Sequence, residues 1–380
     1  MSFQAALRAS RATGAAMVAI GMFWGGFVAY LPEYKLRAEV SDAVLGQVLI
    51  LSALGGMAAM ALTPRLARLL GHRLLPLTGL VLAAAALLPM AVGSLGSLAV
   101  VMLGLGAAMS TVDIGTNLRI SLNELNHNLP LMNLNHALFS FGFAASAALM
   151  GMARHAGLAP EMATPALALM LLVLAALTLE RAAPAAATPD ATTVQASTSP
   201  WGAILPAAAI LFAAFLSENA TETWSVLHIE RNLGGAPGAG AFGPAMLGLT
   251  MGLGRMAGQG LALRLGSARL VAGSACIGVL GALTLALAPV QEIAVLGVAL
   301  IGVGVAVVVP SANTLLGAAV TAEQRGYAIS RAWMIGFSGF FIGPVTMGLL
   351  AEAVGLRWAF AVIALVLAAI LPGLWRLVRR

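Results

Sequence analysis

The sequence predicts an all-α membrane protein with twelve transmembrane helices in two pseudo-symmetric six-helix bundles. Three observations lead to this fold class. Twelve apolar stretches, each near the ~20 residues that a helix needs to cross a bilayer, fill most of the 380-residue chain. Hydrophobic residues make up 60% of the chain and charged residues only 9%, far below the roughly 25% of a soluble domain. A polar stretch after the sixth apolar segment separates two sets of six.

The segments are predicted to be helices because each apolar run is continuous and lacks the period-two alternation of a barrel strand. The first follows Arg8 and Arg11, as a signal peptide would. Its apolar run is longer than the usual signal-peptide core and eleven more follow, so we expect an uncleaved helix. The predicted spans are residues 12–32, 44–63, 73–93, 95–118, 131–153, 162–180, 201–229, 240–263, 268–288, 291–316, 326–350 and 355–375.

Basic residues between the spans predict the orientation, because cytoplasmic loops carry an excess of Lys and Arg. With both termini inside, 13 of these cations fall in inner loops and 5 in outer loops. The protein is therefore predicted to be a multi-pass protein of the inner membrane with both termini cytoplasmic. Basic loops that face anionic lipid also account for the net charge of +6, so no nucleic-acid partner is expected.

The polar stretch at 181–199 is rich in Ala, Thr, Pro and Ser. Such a segment cannot bury enough apolar surface to order itself, so it is predicted to be a flexible cytoplasmic linker. It joins an N-terminal six-helix bundle, residues 1–180, to a C-terminal six-helix bundle, residues 200–380.

Internal similarity supports two related halves. Residues 66–71 resemble residues 261–266, and Gly104-Leu105-Gly106 resembles Gly302-Val303-Gly304 at nearly the same displacement. Parallel six-helix repeats with a substrate site near the midplane are an architecture of transporters.

Ionisable side chains inside spans are costly in lipid and therefore mark candidate functional positions. Glu218 in span 7 is predicted near the midplane, with Glu222 one turn further out on the same face. Two carboxylates this close in a low dielectric resist joint ionisation, which suits proton uptake and release. A structural ion pair or a hydrated vestibule wall is the alternative. Asp113 and His136 are further proton-coupling candidates, since an unperturbed imidazole exchanges protons near neutral pH.

Polar residues of both halves are also predicted near the inner ends of their spans. They are Asp113, Asn117 and His136 in the first half and Arg255 and Arg331 in the second. We expect them to face each other and to close a cytoplasmic gate that breaks when the halves rock. Fixed polar packing between helices is the alternative.

Aromatic and amide side chains supply candidate substrate-binding residues, namely Trp24, Tyr30, Asn219, Trp224 and Asn313. Trp24 falls in the middle of span 1, away from the interfacial belt where Trp usually anchors a helix. It could stack on a sugar-like or aromatic ligand. Core packing is the simpler explanation for it, because Trp buries a large area.

Short motifs along nearly the full chain are similar to those of one transporter family. The loop after span 2, with Arg65, Arg68, Gly71 and Arg73, resembles the basic signature of the major facilitator superfamily, with Arg68 where an Asp is usual. Finer segments resemble a branch that includes fucose-permease-like and rhizopine-associated membrane proteins: Leu31-Pro32-Glu33, Ser41-Asp42, Leu45-Gly46, Asp113, Asn117, His136, Ser140, Gly142, Glu218, Trp224, Pro310, Gly336-Phe337-Ser338-Gly339 and Gly343-Pro344. The resemblance implies the major facilitator fold and transport of a small polar solute, with a sugar-like solute favoured.

The residues and the resemblance together predict secondary active transport of such a solute by alternating access, coupled to H⁺, with Na⁺ as the other possible ion. The solute and the lipid bilayer are the expected partners, and a monomer is expected. Efflux of drugs or metabolites by antiport is one alternative, and a receptor or sensor that does not transport is another. A membrane enzyme is a third alternative, but no catalytic residues, metal site or cofactor are expected from the motifs.

Overall fold

The computed structural model describes residues 3–180 and 200–379, apart from the side chain of Gln259, and these residues form α-helices with no strand among them. A short helix, Phe3–Ala9, precedes the crossing helices. The crossing helices are α1 (Arg11–Ala29, continued by Leu31–Ala38), α2 (Asp42–Leu49 and Leu51–Leu70), α3 (Leu74–Ala85), α4 (Leu95–His127), α5 (Met132–His155), α6 (Pro160–Leu177), α7 (Trp201–Leu227), α8 (Phe242–Leu265), α9 (Ser267–Leu287), α10 (Gln291–Ala306 and Val308–Ala318), α11 (Ala322–Gly336 and Ser338–Val354) and α12 (Leu356–Ala368 and Ile370–Val378).

These helices confirm the predicted all-α membrane fold. Ten stretches of the described residues are long and apolar enough to cross a membrane. One of them, Asp42–Ala91, contains both α2 and α3. Helix α8, with 24 residues, lies outside those ten and is the remaining predicted crossing. The predicted linker at 181–199 lies outside the described residues, so the domain boundaries stay a prediction.

Helix packing repeats between the first six helices and the last six, which we call the N-half and the C-half. In the N-half α1 packs on α5, α2 on α4, and α3 on α6; in the C-half α7 packs on α11, α8 on α10, and α9 on α12. The halves meet where α5 packs on α8 and α2 on α11. Each of these three N-half contacts therefore has a C-half counterpart six helices later, as pseudo-two-fold symmetry requires.

Proline explains two of the helix interruptions. Helix α10 breaks at Val307 because Pro310 lacks an N–H and its ring would clash with the carbonyl of Ala306, four residues earlier. Helix α12 breaks at Ala369 for the same reason, since Pro372 follows Ala368 by four residues.

Helix α4 is longer than its predicted span, which ended at residue 118. It continues through polar but helix-compatible residues to His127 and ends at Asn128, whose left-handed φ of 51° is tolerated by Asn. In this extension Arg119 forms a 2.6 Å ion pair with Glu180, and the Asn123 amide donates to the Ala9 carbonyl at 3.0 Å. The extension thus joins the beginning of the first helices to the end of α6.

The same end of the molecule provides a reference direction. The Arg11 guanidinium at the beginning of α1 donates to the carbonyls of Leu177 and Leu179 at the end of α6. We call this side the terminal face, and the opposite side, which carries Leu31–Ala38, the far face.

Close packing of α1 on α5 depends on small residues. A Cβ at Gly21 would overlap the Phe139 carbonyl oxygen and lie 2.8 Å from the Phe143 nitrogen. Backbones can approach this closely only where the side chain is absent.

Substitution of Gly21 by Ala should therefore separate α1 from α5. Overpacking of this kind typically costs about 1–3 kcal/mol, so we expect a lower midpoint of thermal unfolding in detergent, measured by size-exclusion fluorescence. Gly273→Ala in α9 is the matched control, because a Cβ there meets nothing within 4 Å. An equal midpoint for both variants would show that α1 and α5 tolerate the added methyl group.

Candidate functional site

A polar segment occupies the middle of α7. The nine residues 217–225 are all buried, although most carry polar side chains. The Thr221 and Thr223 hydroxyls donate to carbonyls one turn earlier, at 2.7 and 2.8 Å, so the helix itself satisfies them. Glu218 and Glu222, only 6% and 3% exposed, need partners on other helices.

Glu222 finds its partner in the N-half. The Trp24 indole Nε1 of α1 donates to Glu222 Oε2 at 3.3 Å, and the Trp24 ring stacks on Phe27 with 5.3 Å between centroids. Trp24 is therefore packed in the core and also hydrogen-bonded across the two halves.

Glu218 pairs with Arg255 of α8, with 3.2 Å between Oε1 and Nη2. The other terminal nitrogen of Arg255 donates to Ser140 Oγ at 2.6 Å and to the His136 carbonyl at 3.4 Å, both on α5. One guanidinium thus links α7 and α8 of the C-half to α5 of the N-half. We call Trp24, Ser140, Glu218, Glu222 and Arg255 the central cluster.

Glycines on α8 allow Arg255 to reach α5. A Cβ at Gly248 would lie 2.8 Å from the Ser140 carbonyl oxygen, and a Cβ at Gly252 would lie 2.5 Å from the Phe141 ring. Because neither glycine has a side chain, the two helices approach closely one to two turns before Arg255.

A cavity of about 240 Å³ lies between the beginning of α5 and the terminal-face ends of α8 and α10. Arg255 lines this cavity, together with polar side chains that include Asn133, Ser311 and Thr314. The central cluster is therefore connected to the terminal side of the molecule through Arg255.

Ion pairs join the two halves at the far face. Arg231 binds Asp42 through two hydrogen bonds of 2.6 and 2.8 Å, and Arg154 binds Glu230 at 2.6 Å. Arg231 and Glu230 both lie in a π-helical turn, His228–Asn232, that ends α7. A single turn therefore presents opposite charges to α2 and α5.

The halves diverge towards the terminal face. Asp42–Leu49 of α2 packs against Ser338–Val354 of α11, whereas Leu51–Leu70 packs on α4 and Ala322–Gly336 packs on α7, each within its own half. The conformation is thus joined at the centre and far face and open towards the terminal face.

The predicted gate residues are only partly brought together. The Asn117 amide donates to Asp113 Oδ1 at 2.9 Å within α4, and the Arg331 guanidinium lies 5.2 Å from the centroid of the Tyr327 ring. In the described part of the chain, no ion pair joins Asp113 to Arg255 or Arg331. A gate that has opened is expected to lack these contacts, and the gate stays a prediction.

The predicted substrate-binding residues occupy different environments. Tyr30 donates to the Leu158 carbonyl at 2.8 Å, and Asn313 accepts from Trp333 Nε1 at 3.0 Å. Trp224 and Asn219 are buried in α7, and Asn219 Oδ1 has no hydrogen-bond partner among the described residues. A buried acceptor without a partner is unusual and is open to a ligand or water.

Sequence reasoning missed the far-face ion pairs and the role of Ser140 as a partner of Arg255. Asp42 entered only as part of a motif, Arg154 and Arg231 were only two of the five outer-loop cations, and Glu230 was not considered. Their signal in the sequence was the position of opposite charges at the outer ends of spans 2, 5 and 7, which should lie at one level of the membrane.

Breaking the far-face pair should open that side. For Asp42→Arg we expect longer spin-label distances between Leu36 and Val354, exposed far-face positions on opposite halves, because two arginines repel each other. Double electron–electron resonance, with Cys276 replaced by Ser, measures this distance.

The reversed pair, Asp42→Arg with Arg231→Asp, is the control and should restore the original distances. Unchanged distances in the single variant would mean that this ion pair does not hold the far face closed.

Comparison with known proteins agrees with this arrangement. The family model of the Major Facilitator Superfamily matches residues 271–380. An uncharacterized MFS-type transporter of Yersinia pestis is 28% identical over 351 residues, covering 91% of this chain and 90% of its own length. An uncharacterized transporter of Sinorhizobium fredii is 27% identical over 367 residues, covering 93% and 94%.

Solved structures share the fold. A mutant of the nucleoside transporter NupG superimposes with a TM-score of 0.75 at 14% identity, covering 97% of this chain and 99% of its own. A bacterial homolog of the human lysosomal transporter Spinster, in an inward-facing and unoccupied conformation, gives 0.73 at 13% identity, covering 100% and 98%. The chain is therefore similar in sequence to transporters of the Major Facilitator Superfamily and shares the fold of solved transporters.

Proposed function

We propose that this transporter moves a small polar, sugar-like solute by alternating access and couples its movement to protons. The observation that carries the proposal is the central cluster, in which the buried Glu218 pairs with Arg255 and the buried Glu222 accepts from Trp24 of the N-half.

The charge balance of the cluster supports proton coupling. A carboxylate buried without a cation costs several kcal/mol, so a site with Glu218, Glu222 and Arg255 is balanced when one proton is bound to the carboxylates. Binding of a second proton leaves the guanidinium without a counter-ion at the contact between the halves. Protonation therefore changes the relative stability of the conformations in which the halves are apart or together.

The difference between the two sides of the molecule supports alternating access. The cavity beside Arg255 lies towards the terminal face, and the ion pairs of Asp42 and Arg154 close the far face. We propose that the terminal face is cytoplasmic and that the membrane is the inner membrane, as the basic loops predict. The conformation would then be inward-open.

The lining of the cavity supports a polar solute. Asn133, Ser311 and Thr314 offer amide and hydroxyl groups that can donate to and accept from a solute with several hydroxyls. The Trp24 ring, whose indole donates to Glu222, is the aromatic surface of the central cluster.

Substitution of Glu218 by Gln should abolish uptake driven by a pH gradient and leave solute exchange partly intact, because the amide keeps the shape but cannot take up or release a proton. Uptake and proton entry are measured in proteoliposomes containing a pH-sensitive dye, with a solute found by thermal-shift screening of the purified protein.

Glu323→Gln, at an exposed position at the beginning of α11, is the matched control and should transport as the original protein does. Equal loss of uptake and exchange in Glu218→Gln would assign Glu218 to solute binding alone. Tight solute binding with no transport would instead favour a receptor.

A further inference from the structure

Two Arg–carboxylate pairs in this protein differ in geometry. At the far face, Arg231 places one terminal nitrogen on each oxygen of Asp42, at 2.6 and 2.8 Å. At the centre, Arg255 makes one 3.2 Å contact with one oxygen of Glu218. A planar guanidinium matches a carboxylate best when both contacts form. The central pair is therefore the weaker and more easily exchanged of the two.

Arg255 also retains donors. A guanidinium has five N–H groups, and Arg255 uses three of them, on Glu218, Ser140 and the His136 carbonyl. The other two have no hydrogen-bond partner among the described residues. The Arg255 side chain is 17% exposed and lines the cavity, whereas that of Glu218 is 7% exposed.

The cavity offers no competing free carboxylate next to Arg255. Glu124 also lines it, but its Oε1 accepts from the backbone nitrogens of Leu131 and Met132, at 2.6 and 2.8 Å, at the beginning of α5. That helix end compensates the charge of Glu124. If Glu218 is neutral, the remaining charge that faces the cavity is the guanidinium.

We propose that the transported solute carries a carboxylate, and that this group replaces Glu218 as the counter-ion of Arg255. The inference deepens the proposed function and rests on it. A proton from the solvent binds the Glu218 carboxylate, the ion pair with Arg255 breaks, and the guanidinium binds the solute carboxylate through Nε and Nη2, while Nη1 stays on α5. On release of the solute, Glu218 loses the proton and pairs with Arg255 again.

This exchange of counter-ions determines the net charge that is transported in each cycle. One anion and one proton carry no net charge, so each cycle is electrically neutral. The other ionisable groups that face Arg255 are Glu222 from α7, His136 from α5 and Glu124 from the end of α4. Since these groups can also bind protons, the pH dependence of solute binding is assigned to Glu218 by comparing the Glu218→Gln variant with the original protein.

Matched pairs of solutes test the recognition. Thermal-shift measurements on the purified protein at pH 5.5 and 7.5 compare D-glucuronate with D-glucose, D-galacturonate with D-galactose, and glycerate with glycerol. We expect the carboxylate member of at least one pair to stabilise the protein, more strongly at pH 5.5.

Variants assign the effect to residues. Arg255→Gln should weaken binding of the carboxylate at least tenfold, because the charge-assisted hydrogen bonds to the solute are lost. Glu218→Gln should bind it equally at both pH values, since the guanidinium is then always free. Arg264→Gln, nine residues later on α8 and exposed, is the control and should bind as the original protein does. Equal stabilisation by the neutral members, or by none of the solutes, overturns the inference.

Transport in proteoliposomes separates this inference from the proposed function. With a membrane potential set by valinomycin and K⁺, uptake of the carboxylate solute should not change with the potential, and protons should enter with it. Potential-driven uptake of a neutral solute together with protons would overturn the carboxylate inference and leave the proposed function intact. Absence of proton movement with every transported solute would overturn both.

Discussion

The cost of burying charge in a low dielectric is the constraint on which the rest of this structure depends. Glu218 and Glu222 lie in a segment of α7, residues 217–225, that is buried on all sides, so each must be neutralised or paired. The pairs that form, with Arg255 and Trp24, reach three other helices in both halves. The contact between the halves at this level therefore includes charged and hydrogen-bonded groups, and it is sensitive to any proton or anion that enters.

Helix α7 connects this centre to the far face. Its polar segment holds the two carboxylates, and its final π-helical turn holds Glu230 and Arg231, which bind the N-half. A π-helical turn is rare and often occurs at functional sites. Movement of α7 would change both sets of contacts at once, which provides a direct physical route between the site and the far-face pairs.

Apolar length was enough to predict the helices, because lipid forces every backbone group to be satisfied within a segment. The sequence also indicated that Glu218 and Glu222 are candidate functional residues, because the free-energy cost of burying a carboxylate does not depend on knowing its partner. Partners were harder to predict. Arg255 was expected to face Asp113 and His136 side chains, whereas its ionic partner is Glu218 of its own half. The acid that an arginine pairs with depends on the rotation of its helix and on close approaches such as that of Gly248 to α5. Neither can be read from the sequence pattern.

The extension of α4 to His127 has a mechanical consequence. Through Arg119 and Asn123 it holds the ends of neighbouring helices, so it acts as a brace across the base of the N-half. Helices that are linked at one end resist sliding past each other and rotate together as one rigid body. Rotation of the halves would then occur mainly at the contact between α5 and α8, where glycines line the interface.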